Sequence, residues 1–252
     1  MEDWYKLDHA GKLVPAVANP ENSSTYRLSM MLTTAVDPET LQRALDNVIR
    51  RFPLLQVELS SGLFWKFLRK KTTPLTVEPE TAYPCAPVNP KARDARLVKV
   101  LYHGSKISVE IFHALTDGGG ALEFLKTLVF QYLRLLGVKV DDKDELILPP
   151  ASFARYAEAQ DSFKAHFKPA PAKRQAPEAL QIVGTRFDPY GHHVVHGFLR
   201  ASALNAIAKG KGVTLTAYLT AVLITAVHRA AHQLNSGNRP IVIAMPVNLR
   251  KL

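Results

Sequence analysis

Residues 111–120 read Ile-Phe-His-Ala-Leu-Thr-Asp-Gly-Gly-Gly. An ionisable ring, His113, closes an apolar run, a carboxylate, Asp117, follows four residues later, and three glycines come next. Two readings fit these residue types. One is a reaction centre built on the imidazole. The other is a tight strand-to-helix turn in which Asp117 caps the helix and His113 is a bystander. Asp117 could also hold the turn through an arginine. Each glycine inside a helix costs roughly 1 kcal/mol relative to alanine, so Gly118, Gly119 and Gly120 imply that the site needs room or unusual backbone angles. The order of strand, turn and glycine-opened helix favours the reaction centre, because chemistry concentrates at strand ends and the loops that follow them.

Other candidates are weaker. His192, His193 and His196 cluster in Gly-His-His-Val-Val-His-Gly. On a strand His192 and His196 would share a face, but no carboxylate or cysteine nearby completes a ligand set. His228 and His232 are four apart on a helix-like stretch without the glutamate of a zinc hydrolase. Asp141–Glu145 is an acidic run suited to a solvated loop. No serine stands in a Gly-x-Ser-x-Gly setting, and no phosphate-binding glycine pattern is present. Cys85 is the only cysteine. It can form no internal disulfide, and with no basic cluster beside it, it reads as inert. Trp4 and Tyr5 suit packing better than lining a pocket. No metal is expected.

Elements must carry His113 and Asp117 into place. Lys106–His113 alternates as a strand, preceded by a second strand-like run across the turn His103-Gly104-Ser105. After the glycines, Ala121–Leu136 reads as a strong helix ending at Gly137, a C-cap residue. Tyr26–Val36 reads as a strand. Asp37 then caps a helix with Pro38 in its first turn, Leu41, Leu45, Val48, Ile49 and Phe52 on one face, and Pro53 as its stop. A hairpin is expected at Ser60-Ser61-Gly62. Residues 152–167 suggest a further helix, and 168–181, rich in proline and lysine, a linker. Beyond it the pattern is a strand at 192–199, helices from Ser202 and from Thr214 or Thr216, and a buried strand at 239–250. The expected division is an N-terminal half at 1–167, a crossover at 168–187 and the beginning of a second half at 188–252. A strand–helix–helix–strand piece leaves sheet edges uncovered, so the chain is expected to be the front part of a longer protein or, alternatively, its second unit to complete a sheet in the first.

The chain has 252 residues, 47% hydrophobic, with a formal charge of +10. The cations are scattered and no nucleic-acid-binding motif accompanies them, so an anionic cofactor or substrate is the expected partner rather than a specific nucleic acid. The first residues are charged and lack an apolar segment of the signal-peptide kind. The longest uncharged apolar stretch, Val213–Val227, falls short of a membrane span. The expected location is the cytoplasm.

Phe-His-Ala-Leu-Thr-Asp-Gly resembles the His-x-x-x-Asp-Gly signature of the chloramphenicol acetyltransferase-like superfamily, which includes CoA-dependent acyltransferases and condensation domains. Trp4–Ala16, Pro38–Leu59 and Ile243–Leu252 are also similar to its bacterial branch of alcohol acetyltransferases. The resemblance implies an α/β two-layer sandwich with a mixed sheet flanked by helices. It implies that His113 is the general base for an alcohol or amine acceptor, and that an acyl thioester, acetyl-CoA or a carrier-protein thioester, is the co-substrate. No permanently bound cofactor is implied. Asp117 would fix the loop by pairing with an arginine, Arg250 first and Arg27 second, and Gly118 and Gly119 would let the acyl substrate approach. Condensation domains usually carry two adjacent histidines. Here Phe112 precedes His113, which favours a free-standing acyltransferase. A non-catalytic module that kept the fold is the alternative of a different class.

Overall fold

The computed structural model describes residues 4–63, 65–81, 83–90, 92, 95–141, 146–155, 158, 161, 178–182, 194–233 and 239–245. The chain divides into two compact units, Met1–Lys168 with Asp188–His192, and Pro169–Phe187 with His193–Leu252.

In the first unit the order is β1 (Trp4–Lys6), α1 (His9–Val17), β2 (Thr25–Met31), α2 (Pro38–Val48), β3 (Val57–Ser61), β4 (Lys66–Lys70), β5 (Val77–Pro79), β6 (Val98–His103), β7 (Lys106–Phe112) and α3 (Gly118–Leu135). A four-stranded sheet runs β2-β7-β6-β5 and a three-stranded one β1-β4-β3. Among the described residues only β5 and β6 pair in parallel, so the larger sheet is mixed. The expected α/β architecture is present.

Strand register sorts the larger sheet into two unlike faces, because paired residues point the same way. Tyr26 pairs with Ile111, Leu28 with Val109, Val98 with Ile111 and Val100 with Val109, which makes one face apolar. The helices α2 and α3 pack on each other and against the sheet. Leu41, Leu45, Val48, Phe124, Leu125 and Leu128 join Ile107, Val109 and Ile111 in one core. Fully burying each such side chain contributes about 1.5–3 kcal/mol. The opposite face is more polar, and its centre, Ser108 and Glu110, is buried. Glu110, 2% exposed, pairs with Arg27 on one neighbouring strand and Lys99 on the other. Arg27 also meets Glu80, and the Cys85 amide donates to Glu110.

Two helix ends follow their sequence signals. The Asp37 carboxylate accepts from the Thr40 amide at 2.9 Å. Gly137 lies at φ +77 while the Val138 amide bonds back to the Leu133 carbonyl. Both expected hairpins form, with Gly104 at φ +54 in the second.

Other elements differ from expectation. β2 ends at Met31, not Val36, because its partner β7 begins at Lys106; beyond that, Leu32 and Val36 bond to the Ser105 and Gly104 carbonyls of the turn. The helix α2 stops at Val48, and 3-10 turns, Ile49–Arg51 and Pro53–Leu55, carry the chain on. The helix α3 starts at Gly118, so all three glycines lie in its first turn. Trp4–Lys6 and Val77–Pro79, too short for a periodicity, are strands, and α1 forms despite Pro15.

The second unit contains α4 (Ala201–Gly210) and α5 (Leu215–Gln233). Thr214 caps α5 through the Ala217 amide, whereas α4 begins one residue before Ser202 and has no side-chain cap. Residues 194–199 and 239–245 were expected as strands, the second one buried. They form no strand, and Val242 and Met245 are more than half exposed. A strand requires a hydrogen-bonded neighbour, and among the described residues the segment 239–245 has one backbone link to another part of the chain, from the Leu180 amide to the Pro240 carbonyl. Most of the expected helix at 152–167 lies outside the described residues. Among the described residues no single helix is long and apolar enough to cross a membrane.

Candidate active site

β7 is held on both sides, by β6 through a two-residue turn and by β2 through seven pairs. At its end the Phe112 amide donates to the Leu97 carbonyl and the His113 amide to the Ser24 carbonyl, at 2.8 and 2.9 Å. His113 is therefore fixed by its main chain while its imidazole remains exposed. Ser24 adopts φ +49, a left-handed conformation that costs a non-glycine residue about 1–2 kcal/mol. That kink turns the chain into β2 and presents the carbonyl that His113 uses.

The loop after His113 is pinned from three directions. Ala114 and Leu115 are buried in the core. Gly11 of α1 lies beneath the loop, since a Cβ there would be 3.0 Å from the Ala114 carbonyl. Tyr26 of β2 reaches over with its hydroxyl 3.0 Å from the Thr116 carbonyl and 2.8 Å from the Asp117 carbonyl. The Tyr26 ring lies against the His113 imidazole, with centroids 4.8 Å apart and planes tilted by 54°. Burial, and then the Asp117 carboxylate, push ionisation of the Tyr26 phenol above its ordinary value, which keeps it a hydrogen-bond donor.

Asp117 caps α3, accepting the Gly120 amide at 3.0 Å. Its expected partner Arg250 lies outside the described residues. Arg27, the second choice, is turned to the polar face of the sheet, where Glu110 and Glu80 hold it. Of the expected site residues, the structure brings His113, Asp117, Gly118 and Gly119 together at one strand end and helix start. Gly118 faces open space: a Cβ there would meet nothing within 4 Å. A Cβ on Gly120 would fall 2.0 Å from Thr116 Oγ1, so that glycine serves the close return of the loop. Tyr26, Ser24 and Gly11 were not singled out by sequence. Tyr26 lies about ninety residues from its carbonyl partners, and only strand register brings it there.

Among the described residues no three His, Cys, Asp or Glu side chains gather as a metal site. His192 and His193 lie outside the described residues, and His196 and His228 are exposed. Burial, with Glu110 adding to it, pushes the Cys85 thiol up to about 11, which fits an inert cysteine.

No family model matches the chain, and no curated protein matches it by sequence. Among solved structures it is similar to the starter condensation domain of rhizomide synthetase RzmA, at 14% identity and a TM-score of 0.46 over 55% of this chain and 40% of that one. A substituted form of that domain in complex with C8-CoA gives 17% identity and a TM-score of 0.46 over 59% and 38%. The SgcC5 protein from Streptomyces globisporus gives 15% and 0.45 over 64% and 42%. The chain spans about two fifths of the length of these structures.

Proposed function

We propose that this chain carries the base of a thioester-dependent acyltransferase of the chloramphenicol acetyltransferase-like kind. The observation that supports it best is an exposed imidazole on a braced strand end, followed five residues later by the open backbone of Gly118. In the proposed step His113 takes the proton of an acceptor O–H or N–H. The acceptor oxygen or nitrogen forms a bond to the acyl carbon, the carbon–sulfur bond breaks, and the imidazolium proton goes to the leaving thiolate. Histidine suits both transfers near neutral pH. Asp117 serves by capping α3 and holding the turn, and Arg250 is its proposed partner. Gly118 and Gly119 leave clearance for the thioester arm. Acetyl-CoA is the proposed donor, a small alcohol or amine the acceptor, and the cytoplasm the location.

The test is thiol release by the gene product given acetyl-CoA and a panel of alcohols and amines. His113→Ala should slow release about a hundredfold or more. Release at the wild-type rate would remove His113 from the chemistry. Turnover only with a carrier-bound acyl group would move the donor from CoA to a carrier protein. No turnover with any donor would favour a binding module.

A further inference from the structure

A base must be held in its plane as well as in its place, and the contacts of Tyr26 do both. Its ring lies against the imidazole. Its hydroxyl ties together the Thr116 and Asp117 carbonyls, the last two residues before α3. The same stretch of chain, through the Ser24 carbonyl, receives the His113 amide. Three consecutive residues, 24–26, thus hold the histidine, the end of its loop and the start of its helix.

We propose that Tyr26 is the positioning residue of His113: its ring sets the plane of the imidazole, and its hydroxyl holds the Thr116 and Asp117 carbonyls, the turn that leads from the imidazole into α3. The role rests on acyl transfer at His113. It differs from a packing role because ring and hydroxyl act on different parts of the site. Tyr26→Phe keeps the ring and removes the clamp. Tyr26→Leu removes both.

In the thiol-release assay Tyr26→Phe should lower kcat roughly two- to tenfold, the effect of one lost hydrogen bond. Tyr26→Leu should lower it about ten- to a hundredfold, since misplacement of a reacting group acts on that scale. In both, kcat should fall by more than KM for the thioester rises, because both variants act on the base and reach the donor side only through the turn before Gly118. A residue that only packs would lower the folded fraction and leave kcat per folded molecule unchanged.

Proton NMR of the histidine rings reads the contact without turnover. The chain has nine histidines, and the His113 resonances are those lost in His113→Ala. They should show cross-relaxation to the Tyr26 ring in the wild-type chain, which requires no variant to fold. Their ring-current shift should persist in Tyr26→Phe and vanish in Tyr26→Leu. Absence of the wild-type cross-peak, or unmoved resonances in a folded Tyr26→Leu protein, overturns the proposal. A cross-peak in a protein without thioester turnover supports the contact and overturns the acyl-transfer reading, so the two failures are distinguishable.

Discussion

Gly118 and Gly120 are two residues apart and are glycine for different reasons. At Gly120 a Cβ would press into Thr116, so Gly120→Ala forces the threonine to turn and disturbs the loop that Tyr26 clamps. At Gly118 nothing stands within 4 Å, so Gly118→Ala should stabilise the fold by about 0.4–1 kcal/mol, chiefly by restricting the unfolded chain. Under the proposed function it should also lower kcat/KM for the thioester. Thermal melts and thiol release measured on one preparation separate the two effects, and a stabilised variant with full activity would exclude clearance as the purpose of that glycine. Cys85 gives a second check. With its thiol pushed up to about 11 from 9.0, alkylation by iodoacetamide at pH 8 should run about a hundredfold slower than for a free cysteine, since only the thiolate reacts. At this scale the sequence was legible where residue type and spacing carry the information, as with Asp117 as a helix cap and the inert cysteine. It was silent on Tyr26 and Gly11, whose importance lies in neighbours distant along the chain.

Among elements, Arg51 and Glu158 show how a buried charge can staple a segment. Arg51 is 3% exposed, bonds to Ser152 Oγ, and pairs bidentately with Glu158 at 2.7 and 2.8 Å. Arg51 stands at the end of the 3-10 turn that follows α2, so it fastens Ser152 and Glu158 to that turn. The hydrogen bond from Arg51 outweighs burial and holds the Glu158 carboxyl below its ordinary 4.5. A depressed carboxyl stabilises the fold above its unfolded pKa, and that share is lost as pH falls through the folded value. Melting temperature should therefore drop more steeply below about pH 4.5 in the wild type than in Glu158→Gln, and parallel curves would mean that the pair contributes nothing. The polar sheet face makes a larger claim. Arg27→Ala leaves Glu110 with Lys99 and Glu80 with Lys106 as their remaining cations, and should cost less than the roughly 3–5 kcal/mol of a fully unpaired buried charge, read by chemical denaturation. Helices α2, α3 and α5 were legible from period and caps, and the hairpins from their turns. Strand neighbours were not: that Arg27 would face Glu110 and not Asp117 depends on a register set across some eighty residues.

For the molecule as a whole, the second unit is notable for what it leaves uncovered. Along α5, Leu219, Val222, Leu223 and Ile224 are each two-fifths or more exposed, and Arg229 is its one lysine or arginine. Apolar surface left open in this way drives association. The 252-residue chain should bind a hydrophobic dye and sediment as larger species as concentration rises. Val222→Glu with Leu223→Lys should reduce both effects, and unchanged sedimentation would show that α5 is not the surface responsible.

β7 meets its two neighbours on different terms. It joins β6 across a two-residue turn but β2 across a chain of seventy-five residues or more. Local hairpins close in microseconds, while pairing of distant strands must first overcome loop-closure entropy. His113 thus arrives at its strand end early in folding, and Tyr26 reaches it only when β2 docks. Refolding chains are therefore expected to form helix and the β6–β7 hairpin before the imidazole is oriented. Under the proposed function, recovery of thiol release after dilution from denaturant should track the docking of β2 and lag behind the return of helical signal.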